Sequence, residues 1–237
     1  MTVEFGPVEF GPVELGRPDA VLFDMDGTIV DTEPYWIAAE HEVVEMHGGT
    51  WSLEHGKAVV GKDLLDTGAY VRDNGPVPLT PHEIVELLLD RVIASVRREI
   101  PWRPGARDLL AGCREAGLPA ALVTMSWRRF ALEVVEALPP GSFDEVVVGD
   151  DVAHGKPHPE PYLLAARRLG VDPADCIAIE DSPTGVASAH AAGCTVLAVP
   201  HMVPVPAPGT DAHRFVVRPG LEGLTHADLE AMFGHPV

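Results

Sequence analysis

Lysine is scarce. Among 237 residues only Lys57, Lys62 and Lys156 carry an ammonium side chain, and the arginine pairs Arg97-Arg98, Arg128-Arg129 and Arg167-Arg168 stand apart from one another. With a formal charge of −19 and no basic patch, the chain would repel nucleic-acid backbones and anionic membranes, so neither is expected as a partner. Cysteine is equally sparse: Cys113, Cys176 and Cys194 show no CxxC spacing and no His-Cys cluster, which argues against a disulfide framework, and no His or Cys spacing supports a zinc site. Such a set reads as reduced thiols in a cytoplasmic protein, with Cys176 and Cys194 packed in the core at the start of apolar runs. No apolar run reaches the roughly 18 residues of a membrane span. The acidic start, Met1 to Pro7, lacks the basic region and apolar core of a signal peptide. What remains is ordinary for a globular protein, 46% hydrophobic and 22% charged, long enough for one domain with a sizeable insertion.

Residues 3–16 repeat a Val-Glu-Phe-Gly-Pro unit nearly three times, and each Gly-Pro breaks helix and strand alike, so residues 1–17 are expected to be a flexible tail. Short apolar runs at 20–23, 120–123, 145–148, 176–179, 195–199 and 214–217 read as strands. Between them lie helices at 106–116, about 126–138, 159–169 and 184–192, and a last helix is capped by Thr225. Alternation of this kind implies a parallel sheet covered on both faces, an α/β doubly wound, Rossmann-like core. The stretch 32–102 holds no convincing strand. Helices are expected there at 33–47, 62–72 and 81–98, the last opened by a Thr80/Glu83 capping box with Pro81 in its first turn. The expected organisation is thus a core of residues 18–31 and 103–237, with an inserted α-helical cap at 32–102.

In such sheets ligands bind at the carboxyl ends of the strands. Asp24, Thr124, Gly149-Asp150-Asp151 and Glu180-Asp181 each follow an apolar strand, so four polar groups are expected on one edge. In Asp24-Met25-Asp26-Gly27-Thr28 the two acids are spaced to face one centre, one as nucleophile and one as proton carrier, though a solvated turn would share this composition. An EF-hand fits poorly, because Ile29 and Tyr35 stand where that loop needs Gly and Glu. Glu180 and Asp181 add two further acids, and an oxygen-rich site of this kind suits Mg²⁺; alternatively Asp181 or Ser182 caps the helix that Pro183 opens. Thr124 reads either as an anion-binding hydroxyl or as a plain helix cap. Lys156, held between Gly155 and Pro157, reads as a point charge for a phosphate or a carboxylate, while His154 and His158 beside it read as loop residues rather than ligands.

Taken together, Asp24-Met25-Asp26-Gly27-Thr28, Thr124, Lys156 in Gly-Lys-Pro-His-Pro-Glu-Pro-Tyr, and Glu180-Asp181-Ser182 resemble the four motifs of the haloacid dehalogenase-like hydrolases, in the group with a helical cap after the first motif. The resemblance covers about residues 18–200. It implies a phosphatase working through an aspartyl-phosphate. Asp24 would be the nucleophile and Asp26 the acid and base. Mg²⁺ would be held by Asp24, the Asp26 backbone carbonyl and Asp181, with Glu180 positioning metal-bound water. Thr124, Lys156 and the backbone N–H groups of Met25, Asp26 and Met125 would bind the phosphoryl oxygens. Met125 stands where the family often has Asn or Ser, and its side chain is expected either to be dispensable or to alter the pocket wall.

Several chemistries of the family compete. Asp26 argues against a dehalogenase, and Lys57 and Lys62 sit in poor contexts for a phosphonatase lysine. A β-phosphoglucomutase-like enzyme is the serious rival, but Trp36 and Leu64 stand where that group has His and Arg. The expected substrate is a small phosphorylated metabolite such as a sugar phosphate. The segment Val59-Val60-Gly61-Lys62-Asp63 is the expected specificity loop, with Lys62 contacting substrate and Trp36 either lining the mouth or packed as core. A monomer or weak dimer is expected, and a non-catalytic metal- or ligand-binding protein is the alternative of a different class.

Overall fold

The computed structural model describes residues 16–60, 62–206 and 214–234. Residues 1–15 of the expected tail, Gly61 of the expected specificity loop and the end of the Pro-rich loop after 206 lie outside the described residues.

Six strands form one parallel sheet in the order β3-β2-β1-β4-β5-β6: β1 Ala20–Phe23, β2 Ala120–Val123, β3 Glu145–Val147, β4 Cys176–Glu180, β5 Thr195–Ala198 and β6 Phe215–Val217. The central strands are buried on both faces, which is why they read as unbroken apolar runs rather than alternating ones. In β1, Val21 and Phe23 face a cluster built with α5 (Ala106–Glu115), α6 (Arg128–Glu136) and α9 (His226–Gly234), whereas Ala20 and Leu22 face α7 (Glu160–Leu169) and α8 (Pro183–Ala192). Helices therefore cover both faces, as a doubly wound sheet requires. The strand order reverses between β1 and β4, and ligands of such sheets bind at that point.

Between β1 and α5 the chain forms four helices, α1 Glu33–Met46, α2 Leu53–Val59, α3 Leu64–Asn74 and α4 Pro81–Arg98. The longest, α4, starts at the expected capping box: Thr80 accepts from Glu83 N–H and the Glu83 carboxylate accepts from Thr80 N–H. Its Ile84, Val85, Leu88, Leu89, Val92, Ile93 and Val96 are buried, each contributing about 1.5–3 kcal/mol. The two segments that lead into and out of this block run side by side. Asp31 N–H donates to Pro101 O and Arg103 N–H to Ile29 O, both at 2.8 Å. Helix α2 was not expected from the sequence. It is short, has Gly56 at its centre and lacks apolar periodicity, but Ser52 and His55 close a capping box on it. Helix α3 begins at Leu64 rather than Lys62, because Asp63 caps it by accepting from Leu65 N–H at 2.8 Å.

Cys113, Cys176 and Cys194 are free and buried, and burial pushes the Cys113 and Cys176 thiols up to about 11 and about 12. Among the described residues no helix is long and apolar enough to cross a membrane.

Candidate active site

The site forms where β1 and β4 end side by side. Asp24 N–H still donates to Ile179 O at 3.0 Å, so the strand ladder carries Asp24 up beside Glu180 and Asp181. The chain then turns sharply, with Met25 O accepting from Ile29 and Val30 N–H. Gly27 makes the turn at φ +83°, and a Cβ on it would overlap the Asp181 carboxylate. Only glycine satisfies both demands. Ser182 is the cap of α8, accepting from Gly185 N–H at 3.0 Å, which leaves Asp181 free of that duty. Gly185 in turn makes room for Glu180, whose carboxylate would collide with any side chain there.

Lys156 enters from the loop before α7 and is buried. Its ammonium donates to Asp24 Oδ1 at 2.7 Å, Glu180 Oε1 at 2.5 Å and Val123 O at 2.9 Å, using all three protons. Glu180 is fully buried and also accepts from the Tyr162 hydroxyl at 2.7 Å, while the Tyr162 ring lies 5.2 Å from the ammonium. Tyr162 was missed in the sequence, although it closes the same Gly-Lys-Pro-His-Pro-Glu-Pro-Tyr run. Its pairing with Glu180 spans a helix and a strand that only tertiary packing brings together. Tyr162→Phe keeps the ring and removes the donor, so urea unfolding should show a loss of about 1–3 kcal/mol.

Asp26 is half-buried and surrounded by donors: Thr32 Oγ1 at 2.5 Å on Oδ1, Ser126 Oγ at 2.8 Å and Thr124 Oγ1 at 3.3 Å on Oδ2. Trp36 Nε1 lies 3.5 Å from Oδ1. Trp36 is buried and also lines the cleft. Its ring packs edge-on against Phe130 at 5.7 Å, and its indole N–H points to Asp26. Thr124 is no helix cap, since α6 begins at Arg128 after Trp127; its hydroxyl accepts from Ser126 N–H and donates to Asp26. Thr32 and Ser126 were not singled out in the sequence, because hydroxyl residues in loops are common and only their convergence marks them.

One expectation needs correction. Asp150 and Asp151 do not join the site. Asp150 accepts from Arg128 N–H at 2.9 Å, and Asp151 pairs with Arg128 at 2.6 Å and Arg168 at 2.9 Å, so this strand end is spent on structure. The Met125 side chain lines the wall of the cleft, one of its two expected roles, and its sulfur accepts from Lys156 N–H at 3.0 Å. The backbone of Met25 and Asp26 lies in the turn beside Asp24, as expected from their positions. Lys62 is exposed and lines the cleft opposite Asp24 and Asp26, with its ammonium 5.4 Å from the Tyr70 ring. Glu33 and Glu40, two acids of α1 that no sequence motif marks, line the same cleft.

Electrostatically the site holds too much negative charge. Asp24, Glu180 and Asp181 place carboxylate oxygens within 4.8 Å of one another, against the single ammonium of Lys156. Burial and then Glu180 push the Asp24 carboxyl up to about 7, although Lys156 opposes the shift. Burial and then Asp24 hold Asp181 well above the usual carboxylate range. Burial penalises the Lys156 charge, but Asp24 and Glu180 outweigh it and the ammonium is stabilised. Asp24 Oδ2 is buried without a hydrogen-bond partner. An orphaned carboxylate oxygen in a cluster of hard oxygen donors with surplus negative charge fits a divalent cation such as Mg²⁺.

The sign of the pH dependence follows. Burial also raises Glu33 to about 8 and Glu40 to about 7. The folded protein therefore keeps protons that the unfolded chain releases above its ordinary carboxyl range near pH 4, and stability falls as pH rises towards about 8. In a chelator, Tm should drop across this window. Added divalent cation should restore it more at the alkaline end than at the acid end.

The family model described as haloacid dehalogenase-like hydrolase matches residues 21–199, from the second residue of β1 to just past β5. The chain belongs to this family. Relatives within the haloacid dehalogenase-like hydrolases include hexitol phosphatase B of Escherichia coli K12, 32% identical over 91% of this chain and 96% of the relative. The phosphorylated carbohydrates phosphatase of Thermotoga maritima is 33% identical over 74% of this chain and 82% of its own length. Among solved structures, CbbY from Rhodobacter sphaeroides in complex with phosphate superposes with a TM-score of 0.78 at 29% identity, covering 87% of this chain and 96% of the other. That two of these family members are named as phosphatases supports phosphatase activity here.

Proposed function

We propose that the chain is a Mg²⁺-dependent phosphomonoester hydrolase that acts on a small phosphorylated carbohydrate through an aspartyl-phosphate on Asp24. The observation that carries this reading is the state of Asp24: Oδ1 is pinned by Lys156, while Oδ2 is buried, unpartnered and part of an acid cluster at the switch point of the sheet.

In this reading Asp24 attacks phosphorus in line and the bond to the leaving alcohol breaks, with a proton passing from Asp26 to the departing oxygen. Water then gives a proton to Asp26 and attacks phosphorus, which releases inorganic phosphate and restores Asp24. Thr32 and Ser126 orient the Asp26 carboxylate for both transfers. Lys156, its three protons engaged, supplies positive charge, while the Thr124 hydroxyl, turned from Asp26, and the backbone N–H groups of Met25, Asp26 and Met125 supply donors for the phosphoryl oxygens. Mg²⁺, held by Asp24, Asp181 and the Asp26 carbonyl, would neutralise phosphate charge. Glu180, locked against Lys156 and Tyr162, holds the lysine in place and stands behind the metal ligands.

Residues 32–102 act as the cap that closes over residues 18–31 and 103–237, with Lys62 and Trp36 at the mouth. The carbohydrate preference rests on the relatives; in the cleft, Glu33 and Lys62 stand among Trp36, Val59, Val60 and Leu64. Inorganic phosphate release from a panel of sugar and polyol monophosphates, with and without Mg²⁺, tests it. Mg²⁺-dependent release from at least one member is expected, and Asp26→Asn should lower it by about 10²–10⁴-fold. Hydrolysis of none, or isomerisation of glucose 1-phosphate in place of hydrolysis, would contradict the proposal.

A further inference from the structure

A second group of ligating side chains lies on the outer side of the lysine loop. His154, His158 and Glu160 each offer a donor atom, and the three atoms lie within 4.8 Å of one another. His154 Nδ1 is 2.9 Å from Glu160 Oε2, and His158 Nδ1 is 4.0 Å from the same oxygen. The two rings sit 4.7 Å apart. Both imidazoles thus turn the same nitrogen towards one carboxylate oxygen. The carboxylate is itself fixed, for Oε1 accepts from Ala153 N–H at 2.9 Å and Oε2 from His154 N–H at 3.0 Å.

We propose that His154, His158 and Glu160 form a binding site for a borderline divalent transition metal, Zn²⁺ in particular, separate from the acidic centre. Two imidazoles and one carboxylate are a donor set that zinc accepts in tetrahedral geometry, with the fourth position left to water. Imidazole nitrogen disfavours Mg²⁺, so the two sites sort their metals by chemistry. Bond lengths of about 2.0–2.2 Å put tetrahedral donors roughly 3.3–3.5 Å apart. With all three donor atoms within 4.8 Å, the pairs must close by no more than about 1.5 Å, and both rings are free to adjust, being 67% and 51% exposed. The His154 proton shared with Glu160 leaves on binding, and the weak contact from Glu160 N–H to His158 Nδ1 at 3.2 Å gives way. His154 and His158 flank Lys156 by two residues on either side, so zinc would fasten both ends of the segment that carries the lysine. The sequence alone suggested loop residues, because Glu160 completes the set only once α7 begins at that residue.

Zinc uptake by the metal-stripped full chain tests the proposal, with millimolar Mg²⁺ present to occupy the acidic cluster and a chromogenic chelator as competitor. The wild type should take up one equivalent. His154→Ala and His158→Ala should each bind it more weakly by at least about tenfold, since losing a ligand costs no less than losing its support. Asp24→Asn/Asp181→Asn should keep it. Zinc K-edge absorption should show two imidazoles. Equal uptake by the histidine variants, no uptake by the wild type, loss of the equivalent in the Asp24/Asp181 variant, or fewer than two imidazoles around zinc would each overturn the proposal.

Discussion

Asp24→Asn is expected to lower phosphomonoester turnover by at least about 10⁴-fold and to leave the protein folded. The two halves of this result have different causes. Turnover fails because an amide cannot accept a phosphoryl group as a carboxylate does. The fold survives because the substitution removes one negative charge from a cluster that holds three carboxylates against one ammonium. Lys156 keeps Glu180 and Val123 O as partners. In a chelator at pH 8, where the Asp24 carboxyl (pushed up to about 7) is ionised in the parent, Tm of the variant should equal or exceed that of the parent. Steady-state assay and thermal unfolding of the same preparation check both halves. Retained activity would remove Asp24 from its role.

Lys156→Met should do the reverse to stability. The lysine is buried between two buried carboxylates and donates to Asp24 Oδ1 and Glu180 Oε1. A methionine fills much of the space but leaves those oxygens without a counter-charge. The expected cost is about 3–5 kcal/mol near pH 8, and it should shrink towards pH 5, where protons can neutralise the orphaned groups. Turnover should fall by at least about 10²–10³-fold as well, since the charge that faces the phosphoryl group is gone. Urea unfolding at the two pH values, with chelator present, measures the first effect.

These two residues also show what was legible in the chain. Asp24 and Asp181 announced themselves because each ends an apolar strand run, and a charged residue at a buried strand end is an exception to the local pattern. The lysine was legible through scarcity and through the glycine and prolines that hold it. The helical block was readable wherever capping chemistry and apolar spacing agreed, as in α4 with its Thr80/Glu83 box. Helix α2 lacked the spacing and went unseen. Two of the donors around Asp26 could not be read, because Thr32 lies 6 residues away and Ser126 lies 100 residues away, and no local rule joins them. Tyr162 belongs to the same class: its phenol matters only because packing of α7 sets it against Glu180. Asp151 is the converse case. Its position at a strand end promised a functional acid, but Arg128 and Arg168 on neighbouring helices claim it.

The central claim is that the Asp24 carboxylate carries the phosphoryl group. A crystal structure of the full chain grown with Mg²⁺ and beryllofluoride measures this most directly. The account predicts a trifluoroberyllate bonded to an Asp24 oxygen, with a metal ion touching Asp24 and Asp181 and the Lys156 ammonium beside the fluorides. A trifluoroberyllate bonded to any other side chain, or a fluoride complex held without contact to Asp24, would contradict it.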